Sequence, residues 1–181
     1  MNVNSEELGR DAAMFAAGAH AGQKYGEDQS YYFHLKATVD VLTRFLTAAG
    51  MMSGPLTAAA WLHDTVEDTA VKYDDLFRFF GERVANIVDA VTDRAGENRQ
   101  ARHRATYPMV RYIGGDDAIL VKLADRIANV EYSLATKDSG KVRMYRKEWD
   151  DFQLLIGRSN ATHPVEVEMW AHLDTLMEKR S

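Results

Sequence analysis

Cysteine is absent from the sequence, which excludes a disulfide framework, a thiolate metal site and a cysteine nucleophile. Any metal ligands must therefore be nitrogen or oxygen atoms. Only three prolines occur in 181 residues, and no apolar run approaches the roughly 18 residues that a membrane-spanning helix needs. The first residues combine neither a basic start nor an apolar stretch, so we expect no secretory signal. These absences predict a cytoplasmic protein without a membrane segment.

The charge balance also excludes one class of partner. A net charge of −5 argues against nucleic acid, whose binding depends on a basic surface that displaces counterions. At 181 residues and 46% hydrophobic composition, the chain is predicted to form one domain, residues 1–181. Two basic groups could contact a small polyanion, although most of their members are more typical of a solvated helix face. These groups are Arg94, Arg99, Arg102, His103 and Arg104, and Lys137, Lys141, Arg143, Arg146 and Lys147.

Apolar residues recur with the 3.6-residue period of helices, which predicts an all-α fold, a single helical bundle. A loop is expected over residues 25–30, and residues 94–104 predict either a mobile loop or an exposed helix start. A break at residues 114–117 is followed by another helix that ends before residue 138. The other predicted helices span residues 6–24, 32–50, 74–80, 83–92, 107–113, 141–156 and about 162–179, with one more from about Pro55.

The segment Trp61–Thr69, WLHDTVEDT, concentrates the ionisable groups that suggest chemistry. On a helix beginning near Pro55, His63 and Asp64 would share one inward arc, with Glu67 and Asp68 one turn further on. Charged groups that follow an apolar run are costly to bury unless they are paired or bound to metal. Four such groups in six residues therefore favour a divalent metal site over the alternative, an exposed helix surface.

The wider pattern resembles a known family. HDTVEDT, preceded by His34 and followed by KLADR at Lys122–Arg126, resembles the HD-domain hydrolases of the RelA/SpoT alarmone family. The similarity covers about residues 12–130 and is closest to the small stand-alone members. It implies an HD-domain bundle that hydrolyses the 3′-pyrophosphate of guanosine tetra- or pentaphosphate. The products would be GDP or GTP and pyrophosphate, and the partner would be this small nucleotide.

The same resemblance implies a metal ligand set of His34, His63, Asp64 and Asp125. Two imidazoles and two carboxylates suit Mn²⁺, Fe²⁺ or Zn²⁺, and the resemblance favours Mn²⁺. A metal of this type lowers the pKa of water and polarises a phosphoryl group, as hydrolysis requires. Asp125 also continues the apolar stripe of its helix, an unusual position for a carboxylate without a partner.

Further residues receive roles from the resemblance. It places Glu67 and Asp68 beside the metal, where they handle water and protons. It assigns Lys24 to substrate phosphate and Asn129, in the motif KLADRxxN, to the nucleoside. Residues Tyr145 and Arg146 fall where small members of the family bind substrate, with the exposed surface of a helix as the alternative for both.

The sequence also departs from the family pattern and leaves alternatives open. The family's Pro-Tyr-x-x-His-Pro is here Ser30–Leu35, SYYFHL, so both prolines are lost. Tyr32 and Phe33 could therefore reshape the base pocket. One alternative is another HD phosphohydrolase, either a nucleotidase or a phosphatase acting on the phosphorylated ribose of NADPH. Another is a catalytically silent HD fold that binds nucleotides, which the complete set of ionisable side chains disfavours.

Overall fold

Helices joined by short turns make up the computed structural model, which describes residues 5–178, and a two-stranded hairpin interrupts them early in the described chain. The all-α prediction is confirmed. The elements are α1 (Ser5–Ala19), β1 (Lys24–Tyr25), β2 (Gln29–Ser30), α2 (Tyr31–Ala48), α3 (Gly54–Leu62), α4 (Thr65–Asp68), α5 (Tyr73–Phe80), α6 (Glu82–Val91), α7 (Arg99–Tyr112), α8 (Gly115–Ala135), α9 (Ser139–Lys147), α10 (Trp149–Ile156), a 3₁₀ turn (Arg158–Asn160) and α11 (Pro164–Glu178).

Several predicted boundaries differ from the structure. The helix predicted over residues 6–24 ends at Ala19, because the chain turns there into the hairpin. Residues 94–104 contain a true helix start at Arg99, with the Asn98 side chain as its cap. The helix predicted over residues 141–156 is divided at Glu148, whose carboxylate accepts hydrogen bonds from Arg99 and Arg126. The predicted end of the last helix at residue 179 lies outside the described residues.

The long helix α8 forms the centre of the bundle. It packs against α2, α3, α6, α7, α9 and α11, and its apolar side chains are almost completely buried. Burying apolar side chains in this way is the main stabilising contribution in a bundle of this size. Because α8 is surrounded, a polar group on its inner face, such as Asp125, must find partners on the neighbouring helices.

The motif helix α3 begins and ends for identifiable reasons. The Ser53 side chain accepts a hydrogen bond from the Leu56 amide at 3.5 Å, as an N-cap does. Residues 58–62 are buried, so this helix lies in the core. It ends at Leu62, where the Thr65 hydroxyl donates to the Leu62 carbonyl at 2.7 Å. The sequence suggested a continuous helix through the motif, whereas the structure places His63 and Asp64 in a turn and residues 65–68 in α4.

The hairpin β1–β2 packs on α8 through a glycine. Gly26 has φ +67°, and a Cβ atom there would lie 3.0 Å from the Tyr132 hydroxyl. Both the backbone conformation and this close approach favour glycine. The predicted loop over residues 25–30 is therefore an ordered turn that carries Tyr25 towards α8. Among the described residues, no helix is long and apolar enough to cross a membrane.

Candidate metal centre

Three separate segments bring four predicted ligands together. His34 lies in the first turn of α2, His63 and Asp64 lie between α3 and α4, and Asp125 lies in the middle of α8. The His34 Nε2 atom is 3.4 Å from Asp64 Oδ2 and 3.3 Å from Asp125 Oδ1. The His63 Nε2 atom is 3.0 Å from Asp64 Oδ2 and 3.8 Å from Asp125 Oδ1. Both imidazoles therefore direct one nitrogen at both carboxylates.

This spacing fits one shared ion. Protein ligands lie about 2.0–2.2 Å from a transition metal, so neighbouring ligands of one ion are separated by roughly 3.0–3.5 Å. The ligand atoms of His34, His63 and Asp125 all lie within 4.8 Å of one another. Asp64 is not part of this group of three, but its Oδ2 atom is near both imidazole nitrogens. The donor set, two imidazoles and two carboxylates, suits a divalent transition metal.

The imidazole of His63 has the orientation of a metal ligand. Its Nδ1 atom is 2.9 Å from the Ala60 carbonyl oxygen, which can only accept a hydrogen bond. Nδ1 therefore carries a proton, and Nε2 is the atom that faces the cluster, where a neutral ring would present its lone pair. Burial lowers the pKa of His63, but Asp64 outweighs burial and raises the pKa, so a proton on Nε2 and a bound cation are alternatives at this position. That Nε2 atom is buried and makes no hydrogen bond among the described residues, although Asp64 is close. A buried nitrogen that pairs only with a carboxylate, 3.0 Å away, is suited to share that carboxylate with a bound cation.

The electrostatic field at the cluster favours positive charge. Burial lowers the pKa of the His34 imidazole, but Asp125 and Asp64 outweigh burial and raise the pKa to about 10. Burial alone would raise the pKa of the Asp125 carboxyl, yet the two histidines and Lys122 hold it at about 2. The pKa of Asp64 is held well below its usual range, because His63 and His34 outweigh burial. A divalent cation would satisfy this same field.

Two further side chains orient the carboxylates. The Tyr31 hydroxyl donates to Asp64 Oδ2 at 2.6 Å, and the Asn129 amide donates to Asp125 Oδ1 at 2.5 Å. Hydrogen bonds of this type fix the orientation of ligands around a metal and tune their basicity. The cluster therefore has an ordered set of partners as well as the ligands themselves.

Comparison with known proteins agrees with this geometry. Residues 12–159 match the family model described as HD domain. The chain belongs to the HD domain family. The solved structure of a metazoan ortholog of SpoT shares its fold with a TM-score of 0.69 at 22% identity, covering 93% of this chain and 94% of that one. The predicted HD-domain bundle is thus confirmed.

Relatives of this HD domain include alarmone hydrolases. The guanosine-3′,5′-bis(diphosphate) 3′-pyrophosphohydrolase MESH1 of Xenopus tropicalis is 34% identical over 122 residues, 66% of each chain. The enzyme with the same descriptive name in Aquifex aeolicus is 29% identical over 171 residues, covering 93% of this chain and 24% of that one. The probable chloroplastic GTP diphosphokinase RSH2 of Oryza sativa is 31% identical over 136 residues, covering 70% of this chain and 18% of that one. The chain thus spans about a fifth of the length of these two larger relatives.

The two carboxylates that follow the His-Asp pair of the HD domain have different surroundings. Glu67 Oε2 accepts a hydrogen bond from the Asp93 amide at 3.2 Å. Burial and the charge of Asp93 raise the pKa of Glu67, although that hydrogen bond and Lys122 oppose the change. Asp68 Oδ2 instead accepts from the Gln23 side chain at 3.1 Å, near the end of α1. Glu67 is therefore more basic than the proposed ligands Asp64 and Asp125, whose pKa values are lowered, and a proton acceptor must be basic.

The predicted substrate residues are divided between several places. Lys24 is exposed on β1, where its backbone pairs with Ser30. Tyr145 is buried beneath the Arg126 guanidinium, 4.8 Å from the ring centre, and burial raises its pKa to about 12. Arg146 donates from Nε to the Met177 carbonyl at 3.0 Å, which directs it to the C-terminal helix. Asn129 does reach the cluster, through Asp125.

Three residues near the cluster were not among the site residues predicted from the sequence. Tyr25 stacks on the His34 ring, with centroids 4.8 Å apart and planes inclined by 14°. The Lys141 ammonium lies 5.4 Å from the centre of the Tyr25 ring. In the sequence Lys141 belonged only to a basic group that could contact a small polyanion or form a solvated helix face. Tyr31 could have been found, because a residue three positions before His34 on a helix shares its face. Tyr25 and Lys141 depend on tertiary contacts that no local pattern contains.

Proposed function

We propose that this HD domain is a metal-dependent hydrolase of guanosine alarmones. It would remove the 3′-pyrophosphate of ppGpp or pppGpp and release GDP or GTP with pyrophosphate. The observation that carries this proposal is the convergence of His34, His63, Asp64 and Asp125 with spacing that fits one ion. The substrate class comes from relatives whose names record guanosine-3′,5′-bis(diphosphate) 3′-pyrophosphohydrolase activity.

The proposed ligands are those four side chains, and Mn²⁺ is the metal we propose, with Fe²⁺ or Zn²⁺ as alternatives. When bound, such an ion would activate water and polarise the phosphoryl group. The protein contributes a buried, preorganised cation site. His63 is fixed by the Ala60 carbonyl, and each carboxylate is held by one neighbouring donor.

In the proposed reaction the water oxygen bonds to the phosphorus attached to the ribose 3′-oxygen. The bond between that phosphorus and the 3′-oxygen breaks, and the 3′-oxygen receives a proton. We propose that Glu67 takes the proton that water loses, because its pKa is raised and it follows Asp64 by three residues in the motif. We propose that Asp68, anchored by Gln23, assists in placing the water.

For the substrate we propose contacts from Lys24, Asn129, Tyr145 and Arg146. Phosphate groups favour cationic partners, and Lys24 is exposed at the hairpin that covers His34. Lys141, beside Tyr25, is a further candidate for a phosphate contact. The Nε atom of Arg146 donates to the Met177 carbonyl, so a contact with substrate would use the other guanidinium nitrogens or require this bond to break.

Three wider expectations remain proposals from the sequence. Residues 1–181 would act as one catalytic domain, without nucleic acid as a partner, and the cytoplasm would be the compartment. The expected partner is a small nucleotide, the substrate. The net charge of −5 supports the exclusion of nucleic acid.

The experiment is incubation of the metal-free protein with Mn²⁺ and each of ppGpp, pppGpp, a 3′-mononucleotide, a 5′-mononucleotide and NADPH. Chromatography would separate pyrophosphate from orthophosphate. We expect pyrophosphate from the first two compounds and little product from the others. Orthophosphate from NADPH or a mononucleotide as the main product would instead assign the protein to another phosphohydrolase class. Asp64→Asn, which removes a proposed ligand, should be inactive, whereas Asp150→Asn on exposed α10 is the matched control.

A further inference from the structure

Tyr25 is connected to the proposed metal ligand Asp125 through one intervening side chain. Its hydroxyl donates to Asn129 Oδ1 at 2.8 Å. The Asn129 amide nitrogen donates in turn to Asp125 Oδ1 at 2.5 Å and to the Asp125 carbonyl at 3.1 Å. Asp125 Oδ1 is the same oxygen that faces both imidazoles. A continuous hydrogen-bond chain therefore runs from the hairpin to the ligand.

The direction of the hydrogen bonds in this series follows from which atoms can donate and which can only accept. An ionised carboxylate and a carbonyl can only accept hydrogen bonds, so the Asn129 NH₂ group must face Asp125. The amide oxygen then faces the hairpin and requires a donor, which the Tyr25 hydroxyl supplies. Burial raises the pKa of the Tyr25 phenol, so the hydroxyl keeps its proton near neutral pH. Both ends of the Asn129 amide are thus occupied within the protein.

Tyr25 is held where this contact requires it. Its ring stacks on His34, meets the Tyr31 ring edge-on at 6.2 Å and lies 4.9 Å from the Tyr132 ring. The turn that follows it depends on Gly26, which has a positive φ and approaches the Tyr132 hydroxyl. A donor fixed by packing loses less entropy when it makes its hydrogen bond than a free side chain would.

We infer that Tyr25 is a positioning residue that acts through Asn129 to hold the Asp125 carboxylate and so sets the affinity of the site for its metal. The inference rests on the proposed metal site. It also gives Asn129 a task different from the nucleoside contact that the family resemblance implied, since its amide orients a ligand. The hairpin thereby becomes part of the metal site without supplying a ligand.

The test is titration of metal-free protein with Mn²⁺ alone, with free Mn²⁺ measured by electron paramagnetic resonance. Tyr25→Phe keeps the ring on His34 and removes only the donor. We expect its Kd for Mn²⁺ to rise about 2- to 10-fold, the effect of losing one hydrogen bond. Tyr73→Phe is the matched control, because it also removes a tyrosine hydroxyl that donates to an asparagine oxygen, Asn86 Oδ1 at 2.7 Å, but between α5 and α6, and its Kd should equal that of the wild type.

A double-mutant cycle separates action through Asn129 from a direct effect on His34. Asn129→Ala should raise the Kd by about 10- to 100-fold, as removal of an outer partner of a ligand does. Adding Tyr25→Phe to Asn129→Ala should then cause no further change in the Kd for Mn²⁺. The inference would be overturned by equal Kd values for the wild type and Tyr25→Phe. It would also be overturned if Tyr25→Phe raised the Kd as much in the Asn129→Ala background as in the wild type. Neither result would contradict the proposed function. A wild type that binds no Mn²⁺ would overturn both this inference and the proposed function.

Discussion

Replacing Glu67 by glutamine separates the two tasks that a carboxylate near a metal can perform. The substitution keeps the size of the side chain and one oxygen able to accept from the Asp93 amide, now 3.2 Å from Oε2. We therefore expect the free energy of unfolding to change by less than about 1 kcal/mol, within the range of one hydrogen bond. Glutamine cannot take a proton, so a proton acceptor at this position is lost.

The expected kinetic effect follows from that loss. Proton transfer by a positioned side chain typically contributes about 10²- to 10⁴-fold to rate, which corresponds to roughly 2.7–5.4 kcal/mol of barrier. The effect should appear in kcat, while bound Mn²⁺ stays at the wild-type level. Metal content, thermal midpoint and kcat with ppGpp are measured on one preparation, and Glu168→Gln on the exposed side of α11 is the control.

Two results would refute the reasoning in different ways. Full metal content with near-normal turnover in Glu67→Gln would remove this residue from the mechanism. An empty site whose activity returns when Mn²⁺ is added in excess would make Glu67 a ligand. Asp68, which accepts a hydrogen bond from Gln23, is the second carboxylate of the motif, and its substitution shows whether it also handles protons.

Four further outcomes are expected. Asp68→Asn should retain metal and lower kcat, with unchanged turnover as the contradicting result. Asp125→Ala should lose bound metal and the thermal stabilisation that Mn²⁺ gives through linkage, so equal metal content in both proteins would remove Asp125 from the site. Lys24→Ala should lower kcat/KM about 10- to 100-fold if the ammonium contacts substrate phosphate, and an unchanged kcat/KM would exclude that contact. His103 has a pKa lowered to about 4, chiefly by burial, so the folded protein binds fewer protons than the unfolded chain between pH 6.5 and 4. As the pH is lowered from 6.5 to 4, the free energy of unfolding of the wild type should therefore fall by on the order of 2–3 kcal/mol more than that of His103→Gln, measured by urea titration. Parallel pH profiles for the two proteins would contradict this prediction.

The local sequence contained enough information to predict the main helices and to single out three of the four proposed ligands, whereas His34 depended on the family resemblance. The 3.6-residue period located the main helices because each must bury one apolar face. Asp125 was identifiable since a carboxylate in the apolar stripe of α8 needs a partner. His63 and Asp64 followed an apolar run that the structure places in the core. In these cases the physical reason lies within a single segment.

Other features depend on contacts between distant segments. The end of α3 at Leu62 involves a Thr65 hydroxyl bond that competes with continuation of the helix. The hairpin at residues 24–30 is too short for a period, and its position over His34 depends on Gly26 meeting Tyr132. The hydrogen bond from Tyr25 to Asn129 joins residues 104 positions apart. No pattern in one sequence reports a contact of that separation.

We propose that this HD domain hydrolyses an alarmone with a metal held by two histidines and two aspartates. The most direct measurement is the reaction of ppGpp in ¹⁸O-labelled water, with one preparation assayed after chelation and again after reloading with Mn²⁺. We expect GDP and pyrophosphate in equal amounts from the reloaded protein, the label in pyrophosphate, and no product after chelation. Reloaded protein with full metal content that releases no pyrophosphate from ppGpp would contradict it.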